Sequence, residues 1–255
     1  MKAVILAAGM ASRLRPLTSN TPKCLLKIGE RSLLQRSIDA LKTNGISEFV
    51  IVTGYLHTMI EDFVRTQYGD SISVSFIHND VFDSTNNIYS LWLARPDAEG
   101  KDILLLDSDL LYDPQIVAKV LNNDAENVLT LIRHELGEEE MKVVIDEKGA
   151  ITEISKTCNP TVAVGESLGI EKMGSTYTST LYKELDVMMN AERFITDANG
   201  KQIDQRDIFY ERAFERLIAQ GFTYKVIDVT ELFSCELDTV EDFENAKNMI
   251  PAQLF

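Results

Sequence analysis

The feature that most constrains this chain is an alternation of short apolar segments with stretches of helical periodicity. Residues 3–6, 49–52 and 103–106 are wholly apolar, and each has the length and composition of a strand buried on both faces. Leucine and isoleucine recur at helical spacing over residues 33–41, and a second helical pattern runs from about residue 57 to residue 68. Strand, helix and strand in this order predict an α/β fold with right-handed crossovers, in which helices cover both faces of a mixed, mainly parallel sheet.

The second half of the chain follows a different pattern. Residues 142–145 and 150–155 predict a hairpin around a glycine-containing turn, residues 204–220 predict a strongly amphipathic helix, and residues 240–249 predict a terminal helix. No internal repeat, low-complexity tract or linker interrupts the 255 residues. We therefore predict a single compact α/β unit.

Charge is distributed unevenly along the chain. There are 25 Lys and Arg against 40 Asp and Glu, for a net charge of −15, yet residues 1–29 contain five basic side chains and no carboxylate. An acidic protein repels nucleic acid and anionic membranes at long range, so we expect neither as a partner. The basic segment predicts a small, local anion site instead.

The composition also bears on where the protein resides. No apolar run reaches the ~20 residues needed to cross a bilayer, and the short apolar N-terminus lacks the cleavage site of a signal peptide. Cys24, Cys158 and Cys235 are odd in number and far apart, which matches neither a disulfide framework nor metal spacing. We expect a reducing, cytoplasmic location and no membrane insertion.

A turn rich in small residues follows the first apolar segment. Small side chains allow backbone N–H groups to approach a ligand closely, and ligands bind at the carboxyl end of parallel strands. Neither the Walker pattern nor the dinucleotide glycine pattern is present. The following cations, Arg13 and Lys23, are spaced to surround a polyphosphate, although a tight turn with solvated arginines would show the same spacing. The end of this apolar segment and the turn together comprise Leu6, Ala7, Ala8, Gly9, Met10, Ala11 and Ser12.

Two acidic segments lie at the ends of predicted elements, and the first of them is a candidate for metal binding. Asp107 and Asp109 end the third apolar segment, and carboxylates two residues apart on a strand point the same way, as a Mg²⁺ site requires. An acidic capping turn is the alternative. Asp238 precedes the last predicted helix, where Asp238 or Thr239 would equally serve as an N-cap.

The segment L-A-A-G-x-x-S-R-L-R-P-L-T-x-x-x-P-K resembles the signature of the nucleotidyltransferases that make sugar nucleotides and related activated compounds. The resemblance implies a single-domain Rossmann-like nucleotidyltransferase fold over residues 1–255, with a nucleotide-binding half (1–135) and an acceptor-binding half (136–255). It implies that residues 6–12 bind the nucleotide, with Asp107 nearby.

The same resemblance implies roles for individual side chains. Arg13 and Lys23 would be the catalytic cations that hold the reacting phosphates, and Asp109 and Asp238 would bind Mg²⁺ as the cofactor. The family usually has glycine where this chain has Ala11. If that position needs a positive φ, alanine costs about 1 kcal/mol.

Residues 85–91 resemble the phosphocholine cytidylyltransferase branch, which carries N-N-x-Y-S-L where the base is bound. We expect Thr85, Asn86, Asn87 and Ser90 to contact the nucleotide. Asparagine offers a donor and an acceptor, which favours an amino-bearing pyrimidine and hence CTP. A helix start with Asn86 as its N-cap is the alternative reading of this segment.

We expect Lys156, Glu166 and Tyr177 to bind the acceptor. Lys156 stands where sugar-nucleotide enzymes have E-K-P, so by alignment it would meet the acceptor phosphate. Glu166 would face a cationic headgroup, or else form a surface pair. Tyr177, together with Tyr89, Trp92 and Tyr210, would supply an aromatic wall for an ammonium group, although packing is favoured for Trp92.

Together these patterns predict a Mg²⁺-dependent cytidylyltransferase. It would transfer CMP from CTP to phosphocholine, phosphoethanolamine, an aminophosphonate or a similar small phosphorylated amine, and release pyrophosphate. A sugar-1-phosphate nucleotidyltransferase and a non-catalytic nucleotide-binding relative are the alternatives. A homodimer would be unsurprising for this class, and no catalytic role is expected for His57, His78 or His134.

Overall fold

The three apolar segments form the centre of a mixed sheet in the computed structural model, which describes residues 1–197 and 200–254. The strands are β1 (Lys2–Ala7), β2 (Lys27–Ile28), β3 (Arg31–Ser32), β4 (Glu48–Thr53), β5 (Ser73–His78), β6 (Ile103–Asp107), β7 (Leu110–Tyr112), β8 (Val128–Ile132), β9 (Lys142–Ile145), β10 (Ile151–Ser155), β11 (Gly165–Met173), β12 (Phe194–Thr196), β13 (Gln202–Asp204), β14 (Lys225–Asp228) and β15 (Ser234–Glu236). The α-helices are α1 (Leu33–Thr43), α2 (His57–Tyr68), α3 (Asn87–Leu93), α4 (Arg95–Ala98), α5 (Gln115–Leu121), α6 (Ser175–Asp186), α7 (Glu211–Ala219) and α8 (Val240–Met249).

The main sheet has the strand order β10-β9-β11-β6-β1-β4-β5, and β8 and β14 branch from β11. Strands β6, β1, β4 and β5 are parallel, so that Ile5 lies opposite both Ile51 and Leu106. Strand β11 then pairs antiparallel with β6 and joins the β9–β10 hairpin to the sheet. The predicted mixed, mainly parallel sheet is confirmed.

Helices cover both faces of this sheet because successive residues of β1 point to opposite sides. Val4 and Leu6 pack in a cluster with residues of α3, α6 and α7. Ile5, between them, packs in a second cluster with residues of α1, α2 and α5. The three-layer arrangement predicted from the apolar segments is confirmed.

Most of the predicted elements have the predicted bounds, but α7 is shorter than the pattern over residues 204–220. The helix begins at Glu211, because Asp204 lies at the end of β13 and accepts hydrogen bonds from Arg193 and Arg206. Asn87 Oδ1 also accepts a hydrogen bond from the backbone N–H of Tyr210. These polar contacts hold residues 204–210 outside the helix.

A two-stranded sheet outside the main sheet positions Asp109 and Asp238. β7 pairs antiparallel with β15, and Leu110 lies opposite Glu236. Asp109 comes just before β7 and Asp238 just after β15, so this pairing brings residues 129 positions apart to the same edge. Thr239 then opens α8 with a capping box that includes Asp242, which confirms the predicted cap beside Asp238.

Among the described residues, none of the helices combines the length and the apolar character that crossing a bilayer requires. The cytoplasmic location and the homodimer stay predictions.

Candidate active site

The turn after β1 lies at the carboxyl end of the parallel strands and lines a cleft of about 380 Å³. A methyl group placed on Gly9 would meet no other atom within 4 Å, so packing does not require glycine there. The missing side chain instead leaves the backbone open to a ligand in the cleft. Ala11 adopts the left-handed conformation at φ 46° and ψ 52°, so the position does have the positive φ on which its predicted cost depends.

Cations and carboxylates from both ends of the chain meet beside this turn. Lys23 Nζ lies 2.8 Å from Asp109 Oδ2 and 2.7 Å from Asp238 Oδ1. Arg13 Nη2 donates to the other oxygen of Asp238 at 2.6 Å. Burial alone would lower the pKa of Lys23, but Asp109 and Asp238 outweigh it and raise that pKa. Lys23 is therefore a permanently charged ammonium group bridging two carboxylates.

One carboxylate oxygen of Asp109 is not engaged by Lys23. Its Oδ1 is buried and has no hydrogen-bond partner among the described residues. Nearby, Asp107 Oδ2 accepts a hydrogen bond of 3.0 Å from Tyr210 Oη, and burial together with the charge of Asp109 raises the pKa of Asp107 well above its usual value. Gly169 makes room for this carboxylate, because a methyl group there would lie 2.8 Å from Asp107 Oδ2.

The segment before α3 forms another wall of the cleft. Asn86 is the N-cap of α3, and its Oδ1 accepts a hydrogen bond from the backbone N–H of Asn87. Asn87 Oδ1 accepts from the backbone of Tyr210. Both carbonyl oxygens are engaged, whereas neither side-chain NH₂ group has a partner in the described part of the chain. The helix cap expected as an alternative is present, and it leaves these donors at the cleft.

The opposite wall carries a cation and several carboxylates. Lys156 Nζ lies 4.4 Å from the centre of the Phe209 ring and 3.4 Å from Glu139 Oε2. Glu166 lines the cleft, but its Oε2 is 2.7 Å from His134 Nε2. Burial would lower the pKa of His134, yet the bond to Glu166 raises it. The surface pair expected as an alternative for Glu166 is thus present.

Glu211 is the deepest carboxylate of this wall. It is the first residue of α7, it is 6% exposed, and its Oε2 has no partner among the described residues. Burial, only partly offset by its own backbone N–H and by Lys156, raises the pKa of Glu211 to about 7.

Comparison with known proteins identifies the family of this chain. Residues 2–157 match the family model described as nucleotidyl transferase, which is more than half of the chain.

The chain belongs to the nucleotidyl transferase family.

Two curated relatives of this nucleotidyl transferase are both named cytidylyltransferases. Choline-phosphate cytidylyltransferase of Streptococcus pneumoniae is 38% identical over 110 residues, which are 43% of this chain and 46% of that enzyme. The chain thus spans under half the length of that relative. CTP:phosphoglutamine cytidylyltransferase of Campylobacter jejuni is 26% identical over 267 aligned residues, which cover 96% of this chain and 98% of that enzyme.

Solved structures share the fold along the whole chain. CTP:phosphocholine cytidylyltransferase from Streptococcus pneumoniae matches with a TM-score of 0.74 and 22% identity over 98% of this chain and 99% of that one. The inositol-1-phosphate CTP transferase of T. maritima matches with a TM-score of 0.74 and 20% identity over 99% of this chain and 92% of that one. At these identities the comparison supports the nucleotidyl transferase fold alone.

The cleft of this nucleotidyl transferase brings together most of the residues singled out from the sequence. The predicted residues that line it are Leu6, Ala7, Ala8, Gly9, Ala11, Arg13, Lys23, Thr85, Asn86, Asn87, Ser90, Asp107, Asp109, Lys156, Glu166 and Asp238. Met10 and Ser12 belong to the same turn but do not line the cleft.

The prediction that Tyr177 contacts the acceptor is wrong. Tyr177 is 1% exposed and packs against Phe214 and Tyr224, so it cannot contact an acceptor. Burial in this aromatic cluster removes it from the cleft. Trp92 is half-buried on the far side of α3, where its Nε1 donates to Asp186 at 3.3 Å.

Glu211 and Phe209 are cleft residues that sequence reasoning missed. A signal for Glu211 was available, because it lies three residues before Phe214 and seven before Ile218. This spacing places a carboxylate on the apolar face of the helix, where a charged side chain is costly unless it serves a ligand.

Proposed function

We propose that this protein is a cytidylyltransferase that transfers CMP from CTP to a small phosphorylated amine. An anionic oxygen of the acceptor's phosphate or phosphonate attacks the α-phosphorus of CTP. The bond from that phosphorus to the bridging oxygen of the β-phosphate breaks, and pyrophosphate leaves with the electron pair. The attacking oxygen is already ionised, so no side chain needs to remove a proton from it.

The convergence of Arg13 and Lys23 beside the open turn carries this proposal. The barrier to the reaction lies in bringing several phosphate charges together in line, so positioned cations are the main contribution of the protein. Lys23 bridges the two aspartates through Nζ contacts of 2.8 and 2.7 Å, and Arg13 lies on the same side of the cleft. Both cations would hold the triphosphate and neutralise the charge that develops on the leaving pyrophosphate.

The amide donors of Asn86 and Asn87 support the choice of cytosine. With their carbonyl oxygens engaged, both residues present N–H groups. Cytosine has two neighbouring acceptors, O2 and N3, whereas uracil carries a donor at N3. The two relatives with cytidylyltransferase names agree with this choice.

Asp109 and Asp238 are the residues that would hold Mg²⁺. Mg²⁺ in phosphoryl-transfer sites is commonly bound by one or two carboxylates, with water and substrate phosphates completing its shell. The unpartnered Oδ1 of Asp109 fits this requirement, and no group of three or more His, Cys, Asp or Glu side chains among the described residues offers a complete cage. When bound, the ion would polarise the phosphates and offset their charge.

A pyrophosphate-release matrix tests the proposal. Each of the four nucleoside triphosphates is supplied with Mg²⁺ and one acceptor: phosphocholine, phosphoethanolamine, 2-aminoethylphosphonate, a phosphorylated amino acid or glucose 1-phosphate. We expect release with CTP and a phosphorylated amine. Release with UTP and glucose 1-phosphate but not with CTP would replace the proposal by a sugar-1-phosphate nucleotidyltransferase, and nucleotide binding without release would indicate a non-catalytic relative.

A further inference from the structure

The floor of the acceptor side contains a carboxylate with one oxygen that no described residue satisfies. Glu211 is 6% exposed and lines the cleft, and its Oε2 has no hydrogen-bond partner within the described residues. An unpaired polar atom at this depth costs free energy in either protonation state. A bound ligand with an N–H group would remove that cost.

The surroundings of Glu211 favour a cation as that ligand. Glu171 is fully buried behind the cleft, and burial together with the charge of Glu211 raises the pKa of Glu171 well above its usual value. Lys156 is the cation within electrostatic reach, but its ammonium group lies over the Phe209 ring and toward Glu139. The repulsion between Glu171 and Glu211 therefore favours an ammonium group beside Glu211 Oε2, where no described residue donates a hydrogen bond.

The cleft is poorly built for a quaternary ammonium group. Recognition of trimethylammonium relies on several aromatic faces, because such a group has no N–H to donate. Of the described residues that line the cleft, Phe82 and Phe209 are aromatic, and Lys156 covers a face of Phe209. Tyr177 and Tyr224 lie behind the wall with exposures of 1% each.

We propose that Glu211 determines acceptor specificity by binding an acceptor amine that carries N–H groups, in preference to a quaternary ammonium. This inference rests on the proposed function and narrows its substrate class to primary and secondary amines joined to a phosphate or phosphonate. Lys156 meets the anionic end of such an acceptor and Glu211 its ammonium end. The two side chains together select a small dipolar molecule.

An N-methylation series tests the role of Glu211 directly. Phosphoethanolamine, its monomethyl and dimethyl derivatives and phosphocholine keep the phosphate and the positive charge while the N–H groups are removed one at a time. We expect kcat/KM to fall along the series, with phosphocholine at least about tenfold below phosphoethanolamine, as the loss of a charged hydrogen bond requires. Equal or better use of phosphocholine overturns the inference.

Two variants separate specificity from folding. In Glu211→Gln the preference for phosphoethanolamine should shrink to about threefold or less, while the KM for CTP stays unchanged. Glu215→Gln is the control, because it removes the same charge from the same helix, while Glu215 lies outside the cleft and pairs with Arg212. The preference of this variant for phosphoethanolamine should match that of the unmodified protein. Retention of the full preference in Glu211→Gln also overturns the inference.

A binding measurement keeps this test independent of turnover. If no acceptor of this series or of the pyrophosphate-release matrix is turned over, the proposed function fails, and phosphoethanolamine and phosphocholine are titrated by calorimetry into both the unmodified protein and Glu211→Gln. Tighter binding of phosphoethanolamine that is lost in Glu211→Gln supports the role of Glu211. Absence of binding by either compound, or equal binding of both, rejects it.

Discussion

At the residue scale, the ammonium group of Lys23 neutralises two aspartates that would otherwise repel each other. We expect Lys23→Ala to reduce kcat by about 100-fold or more, because it removes a charge aimed at the reacting phosphates. The fold should persist, since Arg13 still pairs with Asp238. Pyrophosphate release and far-ultraviolet circular dichroism measure the two effects.

Lys27→Ala is the matched control for this substitution. Lys27 is exposed, lies four residues further along the chain and does not line the cleft. Its loss should leave kcat within about twofold of the unmodified value. Near-normal turnover in Lys23→Ala would contradict the mechanism.

Ala11 holds a strained backbone conformation at the centre of the site. Alanine in the left-handed region costs about 1–2 kcal/mol, and glycine adds about 0.5–1 kcal/mol of chain entropy on folding. Ala11→Gly should therefore stabilise the protein by up to about 1 kcal/mol, as measured by urea unfolding. Ala163→Gly, at a loop position without positive φ, should instead be neutral or destabilising, and equal effects of both substitutions would argue against strain at Ala11.

The buried carboxyl of Glu211 links stability to pH. Its pKa is raised from 4.5 to about 7 on folding, so the folded protein holds this proton more tightly than the unfolded chain. Ionisation therefore destabilises the fold progressively from about pH 4.5 to pH 7, and the full penalty, on the order of 3 kcal/mol, persists above pH 7.

Glu211→Gln should consequently be more stable than the unmodified protein at pH 8, with the difference vanishing toward pH 4.5. Thermal unfolding followed across this range measures it. Glu215→Gln is again the control: it keeps the Glu211 carboxyl, so it should keep the pH dependence of the unmodified protein, with a midpoint shifted slightly downward by the loss of the Glu215 charge. The pH at the midpoint of this trend also depends on the charged groups around Glu211, which are the carboxyls of Asp107, Glu171 and Glu215 and the ammonium group of Lys156. A pH-independent difference would show that folding does not raise the pKa of Glu211.

At the scale of elements, the segment between β13 and α7 supports residues 85–90, the proposed base-binding segment. The carbonyl oxygen of Arg206 accepts a hydrogen bond of 2.8 Å from the backbone N–H of Asn86. The Asp204 carboxylate accepts hydrogen bonds from both the side chain and the backbone N–H of Arg206. Burial would raise the pKa of Asp204, but the bonds from Arg206 and Arg193 outweigh burial and hold that pKa well below its usual value. Asp204 is thus a positioning residue: it holds Arg206, and Arg206 in turn holds the backbone of Asn86.

Asp204→Asn should raise the KM for CTP several-fold while changing kcat by less, because it loosens the base-binding segment and leaves the phosphate-binding cations in place. Steady-state kinetics with CTP as the varied substrate measure this split. Asp228→Asn breaks a comparable pair with Arg133, whose residues do not line the cleft, and should leave both constants unchanged. A selective loss of kcat in Asp204→Asn would contradict the positioning role.

The same segment shows where sequence reasoning reaches its limit. The central strands, α2 and α8 could be predicted because local periodicity and caps determine them. The start of α7 could not, since the amphipathic pattern continues through residues that Asn87 and Arg193 hold by contacts distant in sequence. Tyr177 was misplaced for a related reason, because an aromatic residue at helical spacing is equally suited to a core and to a ligand wall.

At the scale of the whole molecule, both predicted halves contribute to one sheet. β11 pairs with β6, and β14 pairs with β8, so strands from beyond residue 136 complete the sheet begun by β1. The boundary between nucleotide-binding and acceptor-binding halves near residue 135 stays a prediction about function.

This shared sheet predicts a single cooperative unfolding transition. Trp92 is a suitable probe, because its Nε1 donates to Asp186 and so reports on contact between the halves. Its fluorescence and the far-ultraviolet circular dichroism should give coincident urea transitions. Two separate transitions would instead indicate halves that unfold independently.

The bridge formed by Lys23 has a consequence for the order of events. In the free protein an ammonium group already occupies the space between Asp109 and Asp238, at 2.8 and 2.7 Å. A divalent cation that arrives alone must compete with this resident counter-ion. A cation that arrives together with a triphosphate would also bring a new anionic partner for Lys23, whose ammonium group could then leave the two aspartates and pair with the phosphates. If Asp109 and Asp238 hold Mg²⁺ as proposed, this exchange of counter-ions would couple the binding of the metal to that of the nucleotide, and the protein would favour the metal–nucleotide pair over either ion by itself.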